Sequence, residues 1–131
     1  MYFFCNLYYG SGFALIFLIL LKNFFNGAKN RNFPNLKNKI IIITGSNAGI
    51  GKATAEELYK LGANVILACR SKEKTMEVIK EIKENKKINS EIEFMELDLQ
   101  DLKSVKQFAT NFKKRYNKCD ILINNAGIFM D

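Results

Sequence analysis

The sequence contains no histidine, and its three cysteines, Cys5, Cys69 and Cys119, lie far apart along the chain. A zinc site needs clustered cysteine and histidine ligands, and a disulfide framework needs pairs of cysteines. The sequence therefore predicts neither a disulfide framework nor a bound metal. Isolated thiols in odd number favour a reducing compartment. Cys69 stands in an apolar run and is expected to be a small core residue.

Charged side chains are absent from residues 1–21, and residues 13–21 are entirely apolar. A helix of about 20 residues, rising about 1.5 Å per residue, spans a hydrocarbon core of about 30 Å. A cleaved signal peptide would have basic residues before its apolar stretch and small residues at the cleavage site. We therefore expect residues 1–21 to form an uncleaved transmembrane anchor whose partner is the lipid bilayer. A signal peptide and a buried core helix are the alternatives.

Acidic side chains are absent from residues 22–38, where Lys22, Lys29, Arg31 and Lys37 accumulate positive charge. This segment predicts a basic linker. Positive charge follows the apolar stretch and none precedes it, so the positive-inside rule directs the following domain to the cytosol. Beyond the linker, lysines alternate with glutamates. That pattern is typical of solvated helix faces, and it argues against nucleic-acid binding despite the net charge of +7.

From residue 39 onward, apolar strands alternate with amphipathic helices. Four segments have the apolar or alternating composition of strands: residues 40–43, 64–69, 91–97 and 121–123. Three have apolar residues at helical spacing: residues 48–61, 72–84 and 101–116. The apolar helix faces are expected to include Ala53, Met76 and Leu102. Right-handed crossovers then imply an α/β fold, a partial doubly wound (Rossmann) parallel sheet with the pattern βαβαβαβ and strand order 3-2-1-4.

Between the first strand and the first helix the sequence reads TGSNAGIG, at residues 44–51. Glycines at such a turn permit a tight bend, close approach of the backbone to a pyrophosphate, and close packing of helix on strand. The helix N-terminus offers free N–H groups to the phosphates. An ordinary glycine-rich turn is the alternative. The position between a buried strand and an amphipathic helix favours a dinucleotide-binding site instead.

The second predicted strand ends without an acidic residue, since Cys69 is followed by Arg70, Ser71 and Lys72. NAD-preferring domains of this type have an acid there that holds the ribose 2′-hydroxyl. A guanidinium suits a 2′-phosphate, both by charge and by bidentate geometry. Arg70 therefore predicts that NADP(H) is preferred over NAD(H). A solvated charge at the end of the strand is the alternative.

Three motifs together resemble those of the short-chain dehydrogenase/reductase family. Residues 44–51 are similar to its TGxxxGIG cofactor signature. Asp98-Leu99 follows the third strand, where the family binds the adenine amino group, and NNAG at residues 124–127 matches a motif that stabilises the sheet near the adenosine. The resemblance covers about residues 37–131. The strings ILACRSKEK, LDLQDLKSV and LINNAGIFM further resemble the retinol-dehydrogenase-like subgroup, whose members are often membrane-anchored and prefer NADP.

The resemblance implies a membrane-anchored oxidoreductase that transfers a hydride between NADP(H) and a small-molecule carbonyl or alcohol. Its membrane would be the endoplasmic reticulum, with residues 39–131 facing the cytosol. The substrate stays open, with retinoids, steroids, lipid aldehydes and xenobiotic carbonyls as alternatives. The residues expected to bind the cofactor are Thr44, Gly45, Ser46, Asn47, Gly49, Ile50, Gly51, Arg70, Ser71, Asp98, Leu99, Asn125, Ala126 and Gly127.

The family's catalytic Ser, Asn and Tyr-x-x-x-Lys are not found in this sequence. None of its five tyrosines is followed four residues later by a lysine, so no residue is expected to be catalytic. A sheet ending at the fourth strand would have an exposed apolar edge. We therefore expect a fragment of a longer reductase, truncated after strand four. A non-catalytic nucleotide-binding module and a chain in which only the anchor functions are the alternatives.

Overall fold

The computed structural model describes residues 15–22, 24–25, 35–85 and 88–127. The chain divides into two compact units, Met1–Phe33 and Pro34–Asp131. In the first unit, residues 15–22 and 24–25 are helical and nearly all of their apolar side chains are exposed. Within the described ranges, no helix combines the length and the apolar character needed to cross a bilayer. Most of the expected anchor and of the basic linker lies outside the described residues.

The second unit contains a four-stranded sheet whose neighbouring strands all pair in parallel. Its strands are β1 (Ile40–Thr44), β2 (Asn64–Cys69), β3 (Ile92–Glu96) and β4 (Ile121–Ile123). The helices between them are α1 (Gly49–Lys60), α2 (Lys72–Asn85) and α3 (Leu102–Arg115). The order across the sheet is β3-β2-β1-β4, which confirms the order expected from the sequence.

Both faces of the sheet are covered, because successive side chains of a strand point to opposite faces. Ile41 and Ile43 of β1 pack on one side with residues of α1 and α2. Ile42 packs on the other side with Phe112 of α3. The central strands are therefore buried on both faces, as their continuous apolar sequence indicates.

Three apolar residues expected on the packed helix faces, Ala53, Met76 and Leu102, are exposed instead. Successive helical residues are about 100° apart, so Ala53 points about 200° away from the buried Gly51. Met76 is separated from the buried Val78 by the same angle. Leu102 lies in the first turn of α3, before the residues of that helix that pack on the sheet. These expectations were wrong about helical phase, although the helices themselves form.

The short strand β4 is fastened to β1 by the carboxylate of Asp120. One oxygen accepts the backbone N–H of Ile40 at 2.9 Å, and the other accepts Lys39 Nζ at 3.1 Å and Lys118 Nζ at 3.0 Å. The backbone hydrogen bond and the two ammonium groups lower the pKa of Asp120 to about 2. The register of β4 on β1 therefore depends partly on an ionised carboxylate.

Candidate functional site

The carboxyl ends of the four strands lie at one edge of the sheet, because all the strands are parallel. The segments that follow the strands form a recess with a volume of about 450 Å³. It is lined by Gly45, Asn47, Ala68, Cys69, Arg70, Ser71, Lys74, Leu97, Asp98, Leu99, Gln100, Ala126 and Gly127. Ligands of doubly wound folds bind in a crevice outside the carboxyl ends of the strands, where the strand order reverses. This recess is therefore the candidate binding site.

The turn after β1 requires glycine for steric reasons at two positions. Gly45 has a φ of +63°, and a Cβ there would lie 2.8 Å from Ala126 Cα. A Cβ on Gly51 would lie 2.7 Å from Gly45 O and would also collide with the side-chain amide of Asn125. The turn is therefore packed backbone to backbone against the segment after β4.

Asn125 joins the end of β4 to the glycine turn. Its Nδ2 donates to the carbonyl oxygens of Thr44 at 3.0 Å and Gly45 at 3.1 Å. In return, Thr44 Oγ1 accepts the backbone N–H groups of Asn125 and Ala126, each at 3.0 Å. Thr44 and Asn125 do not themselves line the recess. Their side chains fix the relative positions of Gly45 and Ala126, which do.

Ser46 is fully buried, and its side chain is directed into the protein. Its Oγ donates to the carbonyl oxygen of Ile43 at 3.0 Å, and its backbone N–H donates to Cys69 Sγ at 3.2 Å. Cys69, expected to be a core residue, is buried and also forms part of the recess floor. The thiol of Cys69 therefore helps to hold the glycine turn in place by accepting the backbone N–H of Ser46.

The N-terminus of α1 follows this turn, and its N-cap residue is Ala48. A methyl group cannot accept a hydrogen bond, so no side-chain cap competes for the first N–H groups of the helix. Three expected site residues, Gly49, Ile50 and Gly51, lie in this first turn and do not line the recess. The free N–H groups and the positive end of the helix dipole favour an anion here.

On the opposite side of the recess, three hydrogen bonds connect four residues in series. Arg70 follows β2, and its Nη1 donates to Gln100 Oε1 at 3.4 Å. The backbone N–H of Gln100 donates to Asp98 Oδ1 at 3.0 Å. The backbone N–H of Asp98 donates in turn to Ser104 Oγ at 2.9 Å. The guanidinium is thereby held beside the turn that follows β3.

The structure brings together eight of the expected site residues, all of which line the recess: Gly45, Asn47, Arg70, Ser71, Asp98, Leu99, Ala126 and Gly127. Ala68, Cys69, Lys74, Leu97 and Gln100 also line it and were missed. Lys74 and Gln100 are the polar residues among those missed. They could have been found from their proximity in sequence to predicted site residues. Lys74 lies about one helical turn after Arg70, and Gln100 lies two residues after Asp98.

Tyr116 is the tyrosine with a perturbed pKa in the described part of the chain. Burial and a hydrogen bond to Glu93 Oε1 at 2.7 Å raise its pKa to about 12. A tyrosine that acts as general acid and base needs a nearby cation to lower its pKa. The pKa of Tyr116 is shifted in the opposite direction, and its hydroxyl, at the end of α3, donates to Glu93 of β3.

The family model described as short chain dehydrogenase matches residues 39–131. Human retinol dehydrogenase 13 is 41% identical over 110 residues, which cover 84% of this chain and 33% of the relative. Human retinol dehydrogenase 12 is 40% identical over 122 residues, covering 92% of this chain and 38% of the relative. The chain thus spans about a third of the length of the curated relatives it matches.

Among solved structures, a metagenomic short-chain oxidoreductase in complex with NADP is similar to this chain. The TM-score is 0.65 and the sequence identity is 36%, over 72% of this chain and 42% of the other. The similarity therefore includes most of the second unit, the part of the chain that contains the recess.

Proposed function

The chain belongs to the short-chain dehydrogenase family, and we propose that it is the cofactor-binding part of a membrane-anchored, NADP(H)-dependent oxidoreductase. The proposed reaction is hydride transfer between the coenzyme and a small-molecule alcohol or carbonyl compound, as in retinol dehydrogenases. Because the chain covers about a third of its relatives, the activity is proposed for the full-length protein.

The observation that carries the proposal is the position of Arg70 at the end of β2, lining the recess. A domain that prefers NAD(H) has a carboxylate at this point to accept the ribose 2′-hydroxyl. Here the adjacent groups are the guanidinium of Arg70 and the hydroxyl of Ser71. A cation and a hydroxyl donor suit a phosphate, so this edge of the recess favours NADP(H).

The geometry of the glycine turn also fits a dinucleotide. A Cβ at Gly45 would collide with Ala126, so the segments after β1 and β4 lie in close backbone contact at the recess. The uncapped N-terminus of α1 offers N–H groups to a pyrophosphate. When bound, a nicotinamide coenzyme supplies the hydride donor or acceptor. The residues of this chain bind and orient it, and Asp98 is suited to accept the adenine amino group.

The proposal extends to the first 38 residues. Residues 1–21 would anchor the protein in a membrane, residues 22–38 would form a basic linker, and residues 39–131 would lie on the cytosolic side, at the endoplasmic reticulum. The support is the uncharged apolar segment followed by lysines and arginine. Resistance to alkaline carbonate extraction would support the anchor, and release into the supernatant would contradict it.

The coenzyme assignment can be tested by titrating the purified full chain with NADPH and NADH. We expect NADPH to bind at least about tenfold more tightly, because charge-assisted contacts to the 2′-phosphate are strong. In Arg70→Ala this preference should fall to near unity while NADH affinity stays within about twofold. Equal affinities in the unmodified chain, or an unchanged preference in the variant, would contradict the assignment.

A further inference from the structure

The amino ends of the four strands form the edge of the sheet opposite the recess, the amino edge. It includes the segments that lead into the strands and the last turns of the helices, because each helix returns the chain to this edge. Asp120 joins two lysines there, Lys39 and Lys118. A Cβ on Gly62, in the turn before β2, would lie 3.6 Å from Lys37 Cα. Exposed lysines therefore lie along the starts of β1, β2 and β4.

The last turn of α3 adds three consecutive basic residues to the amino edge, Lys113, Lys114 and Arg115, all of them exposed. Arg115 pairs with Glu93 of β3. A helix C-terminus favours cations, because the helix dipole ends there in partial negative charge. That effect does not apply to the lysines that precede β1 and β4, which lie outside helices. Helix capping therefore explains only part of the positive charge of this edge.

The acidic side chains of the amino edge do not neutralise its positive charge. Glu57 pairs with Lys60, and Glu84 pairs with Lys80. Glu91 adds one exposed carboxylate. Four exposed lysines of this edge form no ion pair within the described ranges: Lys37, Lys83, Lys113 and Lys114. The amino edge thus carries an excess of exposed positive charge that no neighbouring carboxylate balances.

The chain enters the second unit at this same edge, since β1 directly follows the basic, acid-free segment of residues 22–38. A connection of about 17 residues extends to at most about 60 Å, so the proposed anchor would hold the amino edge near a bilayer. Tethering makes any contact with that bilayer intramolecular. Anionic lipid headgroups attract basic segments that lie next to a membrane anchor. This placement favours a lipid surface over nucleic acid as the partner.

We propose that the amino edge docks on anionic lipid headgroups of the membrane in which the chain is anchored. This inference rests on the anchor of the proposed function and is independent of the coenzyme choice. Strands of five or six residues are about 16–20 Å long, which exceeds the Debye length of about 8 Å at physiological salt. Docking would therefore leave the recess, at the opposite edge, open to the cytosol and beyond the repulsion that an anionic surface exerts on an anionic coenzyme.

Cys119 provides a probe of this contact, because it is exposed and lies between Lys118 and Asp120 at the amino edge. Cys69 is buried, and Cys5→Ser removes the remaining thiol from the full chain. Bimane attached to Cys119 is quenched by lipids that carry a nitroxide on the headgroup. Nanodiscs of phosphatidylcholine, with or without phosphatidylserine, supply the anionic and neutral surfaces. We expect quenching to be at least about twofold greater in anionic discs and to fall to the neutral level in about 0.5 M salt.

The test variant combines Lys113→Gln with Lys114→Gln. It should remove most of the additional quenching, because each lysine near an anionic surface contributes about fivefold to binding. The matched control combines Lys103→Gln with Lys106→Gln, which removes the same charge from exposed positions of the same helix. These positions lie about 10 Å or more nearer the carboxyl edge, so the control should retain the additional quenching. Circular dichroism verifies that both variants are folded.

Equal quenching in anionic and neutral discs, additional quenching that persists in the test variant, or an equal loss in the control would overturn this inference. In those cases co-elution of the chain with both kinds of disc would leave the anchor standing. If the chain co-eluted with neither, the anchor would fail and the docking would fail with it. Binding of a DNA duplex at about 0.15 M salt, without additional quenching in anionic discs, would overturn the inference in favour of nucleic acid.

Discussion

The two sides of the recess are built in different ways. On the side of β1 and β4, the lining residues are Gly45, Asn47, Ala126 and Gly127, most of which have little or no side chain, and part-buried hydrogen bonds of Thr44 and Asn125 hold Gly45 beside Ala126. The side of β2 and β3 includes the exposed polar side chains of Arg70, Lys74 and Gln100, together with the apolar residues Leu97 and Leu99. The first side therefore presents mainly backbone groups to a ligand. The second presents long side chains, each of which a single substitution can replace.

From this difference we expect the two sides to bind different parts of the coenzyme. Backbone N–H groups and a helix N-terminus bind phosphates that NAD(H) and NADP(H) share. Side chains after β2 contact the ribose, where the two coenzymes differ. Substitutions on the backbone side should therefore weaken both coenzymes equally, whereas substitutions on the side-chain side should change their ratio.

The largest effect is expected for Gly45→Ala. A Cβ there meets Ala126 Cα at 2.8 Å, and the φ of +63° is strained for any residue with a side chain. We expect a loss of about 2–4 kcal/mol in unfolding free energy, with a parallel loss of NADPH and NADH affinity. Urea unfolding and coenzyme titration measure the two quantities.

Gly49→Ala is the matched control for Gly45→Ala. Gly49 also has a positive φ, of +56°, but a Cβ there meets nothing within 4 Å. Gly49→Ala should therefore lower the unfolding free energy only by the backbone strain, about 1–2 kcal/mol. Equal losses in the two variants would show that close approach to Ala126 contributes nothing. A loss of affinity for NADPH alone would contradict the prediction that the backbone side binds NADPH and NADH equally.

A smaller effect is expected for Asn125→Ala, which removes two donors to carbonyl oxygens of the glycine turn. Unsatisfied, partly buried carbonyls cost about 1–3 kcal/mol, so the unfolding free energy should fall by that amount and both coenzymes should bind more weakly. Asn124→Ala changes the exposed neighbouring residue and is the control. Comparable effects of the two substitutions would contradict the specific role of Asn125.

The smallest effect concerns the attachment of β4 beneath the backbone side. The pKa of Asp120 is lowered to about 2, below the value of about 3.9 for an unfolded chain. Its ionised form therefore stabilises the fold above about pH 4, and this contribution is lost as the pH falls toward about 2. In Asp120→Asn the decline in unfolding free energy over this range should be shallower. An unchanged pH dependence by acid titration of circular dichroism would refute this role.

The sequence was sufficient for those features that depend on local pattern. Continuous apolar runs identify β1 and β2, and the glycine spacing identifies the turn between β1 and α1. The strand order follows from handedness rules, and the structure confirms it. These predictions needed no knowledge of how side chains from distant segments meet.

The lining residues that were not predicted are brought together by contacts between segments that are distant in sequence. Lys74 and Gln100 line the recess because the turns after β2 and β3 lie side by side, and no periodicity reports that. The inward orientation of Ser46 depends partly on Cys69, which reaches it only once β2 has paired with β1. The errors at Ala53 and Met76 have a different origin. Residues two positions apart on a helix point about 200° away from each other, so Met76 and Val78 cannot both face the sheet, and spacing alone does not tell which of them does.

Hydrogen–deuterium exchange of the full chain, with and without NADP⁺, tests the central claim most directly. If the recess binds the coenzyme, exchange should slow in peptides covering residues 44–51 and 70–74, which form its two sides. It should remain unchanged in the outer part of α3, at residues 109–115. Protection that is absent at saturating NADP⁺, or that falls in α3 and spares the glycine turn, would contradict the account.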